Sequence, residues 1–315
     1  MSARRTWALI LAKDQLRLTR ECLTSVLALD PAPDRVLLVD NGSTDGTATA
    51  VRAEFPGVEV LRLEKNLYFA GGVNEGIRRT LEAGAGSILL LNNDVVLERG
   101  TLGALRRALE ENPRRAAVSP KIYYYEAPDV IWFAGGVVGR GWGLIRHRGV
   151  NVKDEKLRDG AREVDYVSGA AALLSRGALE SIGLLDPDYV MYVEDVDWSA
   201  RARERGWVLW YEPSAKAWHH VSATSGGGLT PLKAYYRLRS GALFLKRHGR
   251  RWERPLAWAA YLAWTLWLLP GPLARGEGRA AGALLLGFFD FTRILLGFRP
   301  PVRRPESFAP PSPRA

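Results

Sequence analysis

Short apolar runs alternate with amphipathic stretches along the first 120 residues of the chain. The apolar runs predict buried strands at residues 7–12, 36–39, 58–63 and 87–91. The intervening stretches place apolar side chains on one helical face and predict helices at residues 16–27, 47–55, 74–83 and 101–111. Strands that alternate with helices are typical of an α/β fold with a mostly parallel, Rossmann-like sheet flanked by helices.

The alternation breaks between residues 121 and 162, a segment rich in Tyr, Gly and Arg. Its glycines, among them Gly135 and Gly136, are turn signals, so we predict an irregular hairpin or loop insertion beside the functional site. Helices are then predicted at residues 176–182 and 196–205, and a last strand at 208–211.

A different pattern begins at residue 231. Residues 234–246 predict a basic amphipathic helix, and the apolar runs at 256–269 and 280–298 fall short of the roughly 18–20 uninterrupted residues that span a bilayer. Tryptophans and flanking arginines favour helices lying in the membrane interface. The alternative is a helical subdomain packed on the body of the protein. We therefore divide the chain into a domain at 1–230, a helical region at 231–299 and a Pro-rich tail at 300–315 that we predict to be disordered.

The charge distribution supports this division. The 315 residues are 47% hydrophobic and 25% charged, a globular composition, and the net charge is +10. Residues 231–315 carry 15 basic and 4 acidic side chains, against 29 and 30 in the remainder. A near-neutral body with a basic C-terminal region is expected to meet two kinds of partner. The single cysteine, Cys22, excludes an intrachain disulfide and a thiolate zinc cluster. No signal-peptide pattern begins the sequence, which predicts a cytoplasmic protein.

Polar side chains follow two predicted strands at the point where each ends. Asp40 and Asn41 come directly after one strand and precede Gly and Ser/Thr residues, a good place to hold a nucleotide base or ribose, although Asp-Asn-Gly is also an ordinary turn. Asn92 and Asp94 follow another strand two residues apart, with Asn93 between them. Such oxygen ligands suit a hard divalent cation that keeps phosphate oxygens as its other ligands, and a helix cap is the alternative.

Two further clusters lie in the second half of the body. Glu194, Asp195 and Asp197 repel one another, so they indicate a metal site or a general base, unless they only gain from the dipole of a helix start. His219 and His220 lie beyond the last predicted strand. In an extended chain their side chains point in opposite directions, so at most one is expected to face the site.

Taken in order, these segments resemble the family 2 glycosyltransferases, inverting enzymes of the GT-A fold, and especially their rhamnosyltransferase-like branch. The resemblance covers roughly residues 6–225 and rests on the segments 39–45, 66–76, 91–94, 167–171, 182–186, 194–198 with Arg201, and 218–219.

The resemblance implies a role for each matching residue. Asp40 would contact the nucleotide base with Asn41 beside it, Gly72 and Asn74 match a turn that approaches the donor, and Asn92 and Asn93 complete the donor side. Asp94 and His219 would bind Mg²⁺ or Mn²⁺, with His220 as the second choice. Asn92 replaces an acid common in the family, which implies weaker or more indirect metal coordination there. Asp195, preceded by Glu194, matches the catalytic base, and Gly169, Ala170 and Trp198 would border the acceptor.

We therefore expect a metal-dependent inverting transferase that moves a sugar from a nucleoside diphosphate to a glycan or polyprenyl-linked acceptor in cell-envelope polysaccharide synthesis. The resemblance favours dTDP-rhamnose as donor, with UDP-sugars such as UDP-galactofuranose as alternatives, and a position on the inner face of the cell membrane. A non-catalytic relative that binds a nucleotide sugar or scaffolds a membrane complex is the second hypothesis, and a homo-oligomer is left open. The dinucleotide-binding Gly pattern and the P-loop are absent from the sequence, and nucleic acid is not an expected partner.

Overall fold

A computed structural model of the chain describes residues 5–139, 145–221 and 230–300, together with Arg303 and Phe308. The chain divides into two compact units. The first, the body, holds the described residues up to 138, 145–190 and 194–221, and the second holds residues 191–193 and the described residues from 230 onward. Apart from Pro300, Arg303 and Phe308, the tail predicted to be disordered lies outside the described residues.

The body follows the predicted alternation of strands and helices through its first half. Its strands there are β1 (Thr6–Ala12), β2 (Arg35–Asp40), β3 (Val58–Arg62), β4 (Ser87–Asn92), β5 (Val95–Leu97) and β6 (Arg115–Tyr124). Its helices there are α1 (Leu16–Leu27), α2 (Thr47–Glu54), α3 (Tyr68–Glu82) and α4 (Thr101–Glu110).

The second half of the body adds short strands and two helices. The strands are β7 (Val130–Phe133), β8 (Gly136–Val138), β9 (Ile145–His147), β10 (Val152–Lys153), β11 (Arg162–Glu163), β12 (Ala171–Ser175) and β13 (Val208–His219). The helices are α5 (Arg176–Ile182) and α6 (Glu194–Glu204), with 3-10 turns at Asp154–Lys156 and Pro187–Tyr189. The predicted insertion at 121–162 thus contains the short strands β7 to β10, of which β8 and β9 form an antiparallel hairpin.

One sheet organises the body. Its main strand order is β10-β7-β6-β12-β4-β1-β2-β3, and β13 pairs with β6, β5 and β11. Strands β4, β1, β2 and β3 are mutually parallel, while β12 runs antiparallel to both β4 and β6. β13 runs parallel to β6 and therefore ends at the same edge as β4. The prediction of a mostly parallel sheet flanked by helices is confirmed.

Strand β1 lies at the centre of this sheet and is buried at all seven positions. Helix α3 packs on it at very short range through glycines. A Cβ added to Gly76 would lie 2.5 Å from Leu9 Cδ1 and 2.8 Å from Val39 Cγ2. The close approach of helix and sheet thus depends on the missing side chain.

We expect Gly76→Ala to destabilise the body by about 1–3 kcal/mol, because the overpacking it causes outweighs the roughly 1 kcal/mol that alanine gains over glycine in a helix. The midpoint of urea unfolding measures this. Gly177→Ala in α5 is the matched control, since its added Cβ meets only Trp207 at an ordinary 3.6 Å. If the Gly76 variant is as stable as the control, the packing argument is wrong.

The sequence pattern did not predict β6, because this strand carries Arg115, Pro120 and Lys121. The structure pairs both buried cations. The guanidinium of Arg115 lies 3.8 Å from the ring centre of Trp210, and Lys121 Nζ lies 2.6 Å from Asp154 Oδ1. A register shift in β13 falls opposite Pro120, which has no N–H to donate. Residues 115–124 thus form a strand within the sheet because distant segments supply partners for the buried Arg115 and Lys121.

β13 extends eight residues beyond the end predicted for it, to His219 rather than residue 211. Its second half pairs with β5, with Ala217 opposite Leu97 and His219 opposite Val95. The two histidines were expected beyond the strand, but His219 is its last residue. A β5 strand of three residues is too short to be recognised from its own pattern.

The second unit is helical, with α7 (Pro231–His248), α8 (Glu253–Leu268), α9 (Pro270–Ala274) and α10 (Gly278–Leu295). Ala242, Leu245, Ala257, Phe291 and Ile294 form its core. Residues 253–274 are 22 residues with a mean hydropathy of 1.2, and 17% of the best window is buried. By length and composition alone this segment is long enough to cross a membrane, although the run predicted at 256–269 is shorter, and one such segment is weak evidence of a span. The core helix of a soluble protein passes the same test.

Candidate functional site

The carboxyl ends of the central parallel strands bring the first predicted residues together. Ala12 lies opposite Asp40 in the β1–β2 register, and Leu11 lies opposite Asn92 in the β1–β4 register. Asp40 is 1% exposed, and its Oδ1 accepts a hydrogen bond from the Ser43 backbone N–H at 2.8 Å. Its buried Oδ2 has no partner within the described ranges. Such an oxygen is suited to accept a hydrogen bond from a bound base or sugar.

Asn41 uses its side chain to hold the chain between β3 and α3. Its Nδ2 donates to Asn66 Oδ1 and to the Tyr68 carbonyl, both at 3.0 Å, and its Oδ1 accepts from the Leu67 N–H at 2.8 Å. With both ends of the amide engaged, Asn41 shapes the loop beside Asp40.

Gly72 and Asn74 do not form the turn expected of them, because both lie in helix α3. A Cβ on Gly72 would lie 2.6 Å from Leu11 Cδ1, so this glycine lets the helix pack on β1. Asn74 exchanges two hydrogen bonds with the backbone of Leu185, at 2.8 and 3.0 Å. Both residues therefore have structural roles: Gly72 lets α3 pack on β1, and Asn74 binds the backbone at Leu185.

Asn93 and Asn92 follow β4 but face different surroundings. Asn93 is buried, and its Nδ2 donates to Thr19 Oγ1 at 2.9 Å and to the Asp14 carbonyl at 3.2 Å. Asn92 is half-buried, and its backbone N–H donates to the Ala170 carbonyl at 3.0 Å. Asn93 therefore ties the β4 turn to helix α1, whereas Asn92 joins it to the segment before β12.

Asp94, in the turn between β4 and β5, faces His219 at the end of β13. Asp94 Oδ1 lies 3.1 Å from His219 Nε2, and both residues are 6–7% exposed. Asp94 Oδ1 and His219 Nδ1 are buried and lack a hydrogen-bond partner in the described part of the chain. No cluster of three His, Cys, Asp or Glu side chains there is arranged to hold a metal. A carboxylate and an imidazole fit Mn²⁺ or Mg²⁺ when phosphate oxygens and water complete the shell.

His220 points elsewhere. Its Nε2 lies 3.1 Å from Glu21 Oε2, its Nδ1 lies 3.0 Å from Glu126 Oε1, and its ring stacks on Tyr125 at 3.6 Å. The two neighbouring histidines thus face different groups, as expected for an extended chain, and the one beside Asp94 is His219.

Glu194 and Asp195 begin helix α6. Asp195 Oδ2 accepts from the Gly169 N–H and its Oδ1 from the Val196 N–H, both at 2.8 Å. Burial raises the pKa of Asp195, although these hydrogen bonds partly offset it. Burial and the charge of Asp195 raise the pKa of Glu194, whose buried Oε2 has no partner in the residues the structure covers. Carboxylates with a raised pKa are better proton acceptors than exposed ones.

Asp197 and Trp198 have structural contacts. Asp197 Oδ2 lies 2.8 Å from Arg201 Nε and its Oδ1 accepts from the Tyr189 hydroxyl at 3.0 Å. Trp198 is 2% exposed and donates its Nε1–H to the Gly183 carbonyl at 2.9 Å. Trp198 was expected to border the acceptor, but the structure places its indole in the core, because helix α6 turns this face toward α5.

Gly169 and Ala170 connect the two halves of the site through their backbone. The Gly169 N–H bonds Asp195, and the Ala170 carbonyl bonds the N–H of Asn92, two residues before Asp94. A Cβ on Gly169 would lie 3.0 Å from the Phe69 ring and 3.6 Å from Asp195 Cβ. These two residues hold the Asp195 carboxylate in a fixed relation to the end of β4.

Two residues at the site were not predicted. Asp14 follows β1, and its Oδ1 accepts from the Thr44 N–H at 2.7 Å, so the strand-end rule applied to β1 would have found it. Trp132 lies in β7 with its ring centre 4.6 Å from that of His219. No local pattern marks Trp132, because only the pairing of β6 with β7 and β13 brings it there.

A family model and curated relatives match this chain. The family model described as Glycosyl transferase family 2 matches residues 8–183. The N-acetylglucosaminyl-diphospho-decaprenol L-rhamnosyltransferase of Mycobacterium tuberculosis is 32% identical over 257 residues, covering 75% of this chain and 82% of the relative. The poly-beta-1,6-N-acetyl-D-glucosamine synthase of Staphylococcus epidermidis is 25% identical over 213 residues, covering 66% of this chain and 48% of the synthase.

Solved structures share the fold at lower identity. GalNAc-T7 with UDP, GalNAc and Mn²⁺ matches with a TM-score of 0.58 and 12% identity, over 78% of this chain and 51% of that one. The mannosyltransferase PcManGT of Pyrobaculum calidifontis, in complex with GDP-Man and Mn²⁺, matches with a TM-score of 0.56 and 16% identity, over 94% and 88%.

Proposed function

Since the chain belongs to glycosyl transferase family 2, has the GT-A fold and is a glycosyltransferase, we propose that it moves a sugar, with inversion, from a nucleoside diphosphate to a hydroxyl of a lipid-linked glycan. We propose L-rhamnose from dTDP-rhamnose as the sugar, N-acetylglucosaminyl diphosphate on a polyprenol as the acceptor, and cell-envelope polysaccharide synthesis as the context. The rhamnosyltransferase relative, at 32% identity, supports these assignments.

One observation carries the proposal. Asp94 Oδ1 and His219 Nε2 lie 3.1 Å apart, and the Gly169–Ala170 backbone links Asp195 to Asn92 through hydrogen bonds of 2.8 and 3.0 Å. A candidate metal pair and a candidate base are therefore built onto one edge of the sheet. An inverting transfer needs both, because negative charge develops on the leaving diphosphate while the attacking hydroxyl loses a proton.

In the proposed mechanism Asp40 Oδ2 accepts a hydrogen bond from the nucleotide, and Asp94 and His219 would hold a divalent cation. When bound, that cation neutralises charge on the diphosphate. Asp195 removes the proton of the acceptor hydroxyl as the hydroxyl oxygen attacks the anomeric carbon. The new glycosidic bond forms on the face opposite the breaking bond to the diphosphate, so one displacement inverts the configuration, and the nucleoside diphosphate leaves. Hydrogen bonds from the backbone N–H groups of Gly169 and Val196 keep Asp195 oriented for this step.

Calorimetric titration with dTDP and UDP, each with and without Mn²⁺, followed by a transfer assay, tests the proposal. The acceptor probe is N-acetylglucosaminyl diphosphate on a short prenyl chain. We expect Mn²⁺-dependent binding of dTDP and transfer of rhamnose to the probe. Binding of UDP alone would replace the donor, and binding without transfer of any sugar would support the non-catalytic alternative.

We also propose that the helical unit attaches the enzyme peripherally to an anionic membrane on the cytoplasmic side. Ten of the thirteen exposed large hydrophobic side chains in the described residues lie in this unit, among them Trp267 at 76% and Leu266 at 56%. Arg247, Arg250 and Arg251 are exposed at the start of the same apolar stretch. Apolar side chains beside cations match the acyl boundary and headgroups of an anionic leaflet.

Vesicle flotation tests this attachment. We expect the full chain to float with phosphatidylglycerol vesicles and much less with phosphatidylcholine vesicles. Trp267→Glu should weaken vesicle affinity about tenfold or more, since it removes the burial of a large apolar side chain. Leu27→Glu, at an exposed position on α1 of the body, is the matched control. Equal flotation of both variants, or none of the wild type, would contradict the proposal.

A further inference from the structure

A row of aromatic rings lies beside the site and includes Trp132, which was not predicted from the sequence. Its indole is nearly perpendicular to the His219 ring, with centroids 4.6 Å apart and an angle of 77°, and to the His147 ring, at 4.5 Å and 83°. The indole therefore contacts two imidazole rings, one of which faces Asp94.

The backbone holds Trp132 in this position. Ile131 and Phe133 on either side of it are fully buried and pair with Tyr123 and Ile122 of β6, whereas Trp132 is half-buried. His147 Nδ1 lies 3.2 Å from the Trp132 carbonyl oxygen. Side chains alternate along a strand, so the pairing that buries its neighbours turns the indole out of the core.

The row continues toward the candidate base. The ring of Tyr166 lies 6.1 Å from His147 and 5.8 Å from Phe133. Tyr166 is 1% exposed, and burial followed by the charge of Asp195 raises the pKa of its hydroxyl. Three residues after Tyr166, the Gly169 N–H bonds Asp195 Oδ2 at 2.8 Å, so the aromatic row runs from the metal pair to the segment that holds the base.

The sheet order places Asp40 and Trp132 on opposite sides of Asp94. Asp40 ends β2, two strands from β4 in one direction, while Trp132 lies in β7, three strands from β4 in the other. Asp94 follows β4, between them, and Asp195 bonds Gly169 on the β12 side. An in-line displacement needs the nucleotide and the acceptor on opposite sides of the reacting carbon.

We propose that Trp132 is the surface on which the acceptor sugar stacks, so that its hydroxyl lies within reach of Asp195. The indole presents apolar, polarisable area to the C–H face of a pyranose, while the flanking imidazoles keep it from rotating. Trp132 is then a specificity-determining residue for the acceptor. This inference rests on the proposed function, because it presupposes a sugar acceptor.

Two substitutions at this position test the inference. Trp132→Leu removes the aromatic ring and is expected to raise the acceptor KM about tenfold, while the Kd for dTDP with Mn²⁺ stays within about twofold. Trp132→Phe keeps an aromatic face and should raise KM less than about threefold. Trp207→Leu is the matched control. The half-buried indole of Trp207 lines a cavity of the body with Arg115 and Arg176. Its loss should leave the acceptor KM and the Kd for dTDP unchanged.

The outcomes separate this inference from the proposed function. If the wild type transfers sugar and Trp132→Leu keeps its acceptor KM, or loses nucleotide affinity instead, the inference is wrong. An equal loss in Trp132→Phe and Trp132→Leu also overturns it. If the wild type transfers nothing, the proposed function fails. Titration of the acceptor probe into wild type, Trp132→Phe and Trp132→Leu, with dTDP and Mn²⁺ present, then gives the answer, because a stacking site binds the probe in the first two and about tenfold more weakly in Trp132→Leu, whereas equal binding in all three rejects the inference. Absence of binding in the wild type also rejects the inference.

Discussion

Asp195→Asn is expected to lower kcat for sugar transfer by about 10²–10⁴-fold while nucleotide affinity stays within about twofold. Asparagine has nearly the shape of aspartate and retains an oxygen that can accept the N–H of Gly169, which bonds the carboxylate at 2.8 Å. It cannot take up a proton from the acceptor hydroxyl. Single-turnover transfer to the prenyl-linked probe measures the rate, and calorimetric titration of dTDP with Mn²⁺ measures binding. Unchanged turnover would remove Asp195 as the base.

Glu194→Gln is the matched control, since Glu194 is adjacent to Asp195 and also buried. We expect this variant to keep most of its activity and to leave the rising limb of the pH profile in place. The base must be deprotonated, so kcat/KM rises with pH, and burial places that limb above the ordinary carboxyl range near pH 4. Burial and the charge of Asp195 raise the pKa of Glu194, so Glu194 is still protonated while Asp195 titrates, and its replacement by neutral Gln removes no negative charge there. A loss in Glu194→Gln larger than in Asp195→Asn would exchange the two roles.

The fold was largely predictable because its signals are local. Apolar runs followed by helical patterning gave the parallel strands from β1 to β4, and the family resemblance named the GT-A fold that the comparisons confirm. β6 and the second half of β13 were not predictable, since their stability depends on pairing with segments far along the chain. Lys121, for example, is accommodated in β6 because Asp154 Oδ1 and Asp159 Oδ2 lie 2.6 and 3.2 Å from its Nζ.

The residues of the candidate site also differ in how local their sequence signals are. Asp40 and Asp94 follow from the rule that ligands bind at the carboxyl ends of parallel strands, and the structure places both there. Asn74 and Trp198 carry family motifs, but their side chains bond the backbone of Leu185 and Gly183, contacts that spacing cannot reveal. The assignments of Asp195 as base and of Asp94 and His219 as metal ligands remain predictions.

Replacing Asp94 or His219 tests the metal assignment, and the sequence offers a close control in His220. We expect Asp94→Ala and His219→Ala to lower kcat about 10²-fold or more, because a Lewis acid at the leaving diphosphate contributes several kcal/mol to the barrier. Both variants should also lose the difference in dTDP affinity between Mn²⁺ and EDTA, a readout that needs no turnover.

His220→Ala is expected to retain the Mn²⁺ effect on dTDP affinity, since both ring nitrogens of His220 face carboxylates, Glu21 Oε2 at 3.1 Å and Glu126 Oε1 at 3.0 Å. The thermal unfolding midpoints of His219→Ala and His220→Ala are compared first, so that a folding defect is not mistaken for the loss of a metal ligand. If wild-type affinity for dTDP is the same in Mn²⁺ and EDTA, or if His220→Ala loses the metal effect and His219→Ala keeps it, the assignment is wrong. The 3.1 Å approach of Asp94 and His219 would then be a structural pair of a buried carboxylate and imidazole, and charge on the leaving diphosphate would have to be met by other groups.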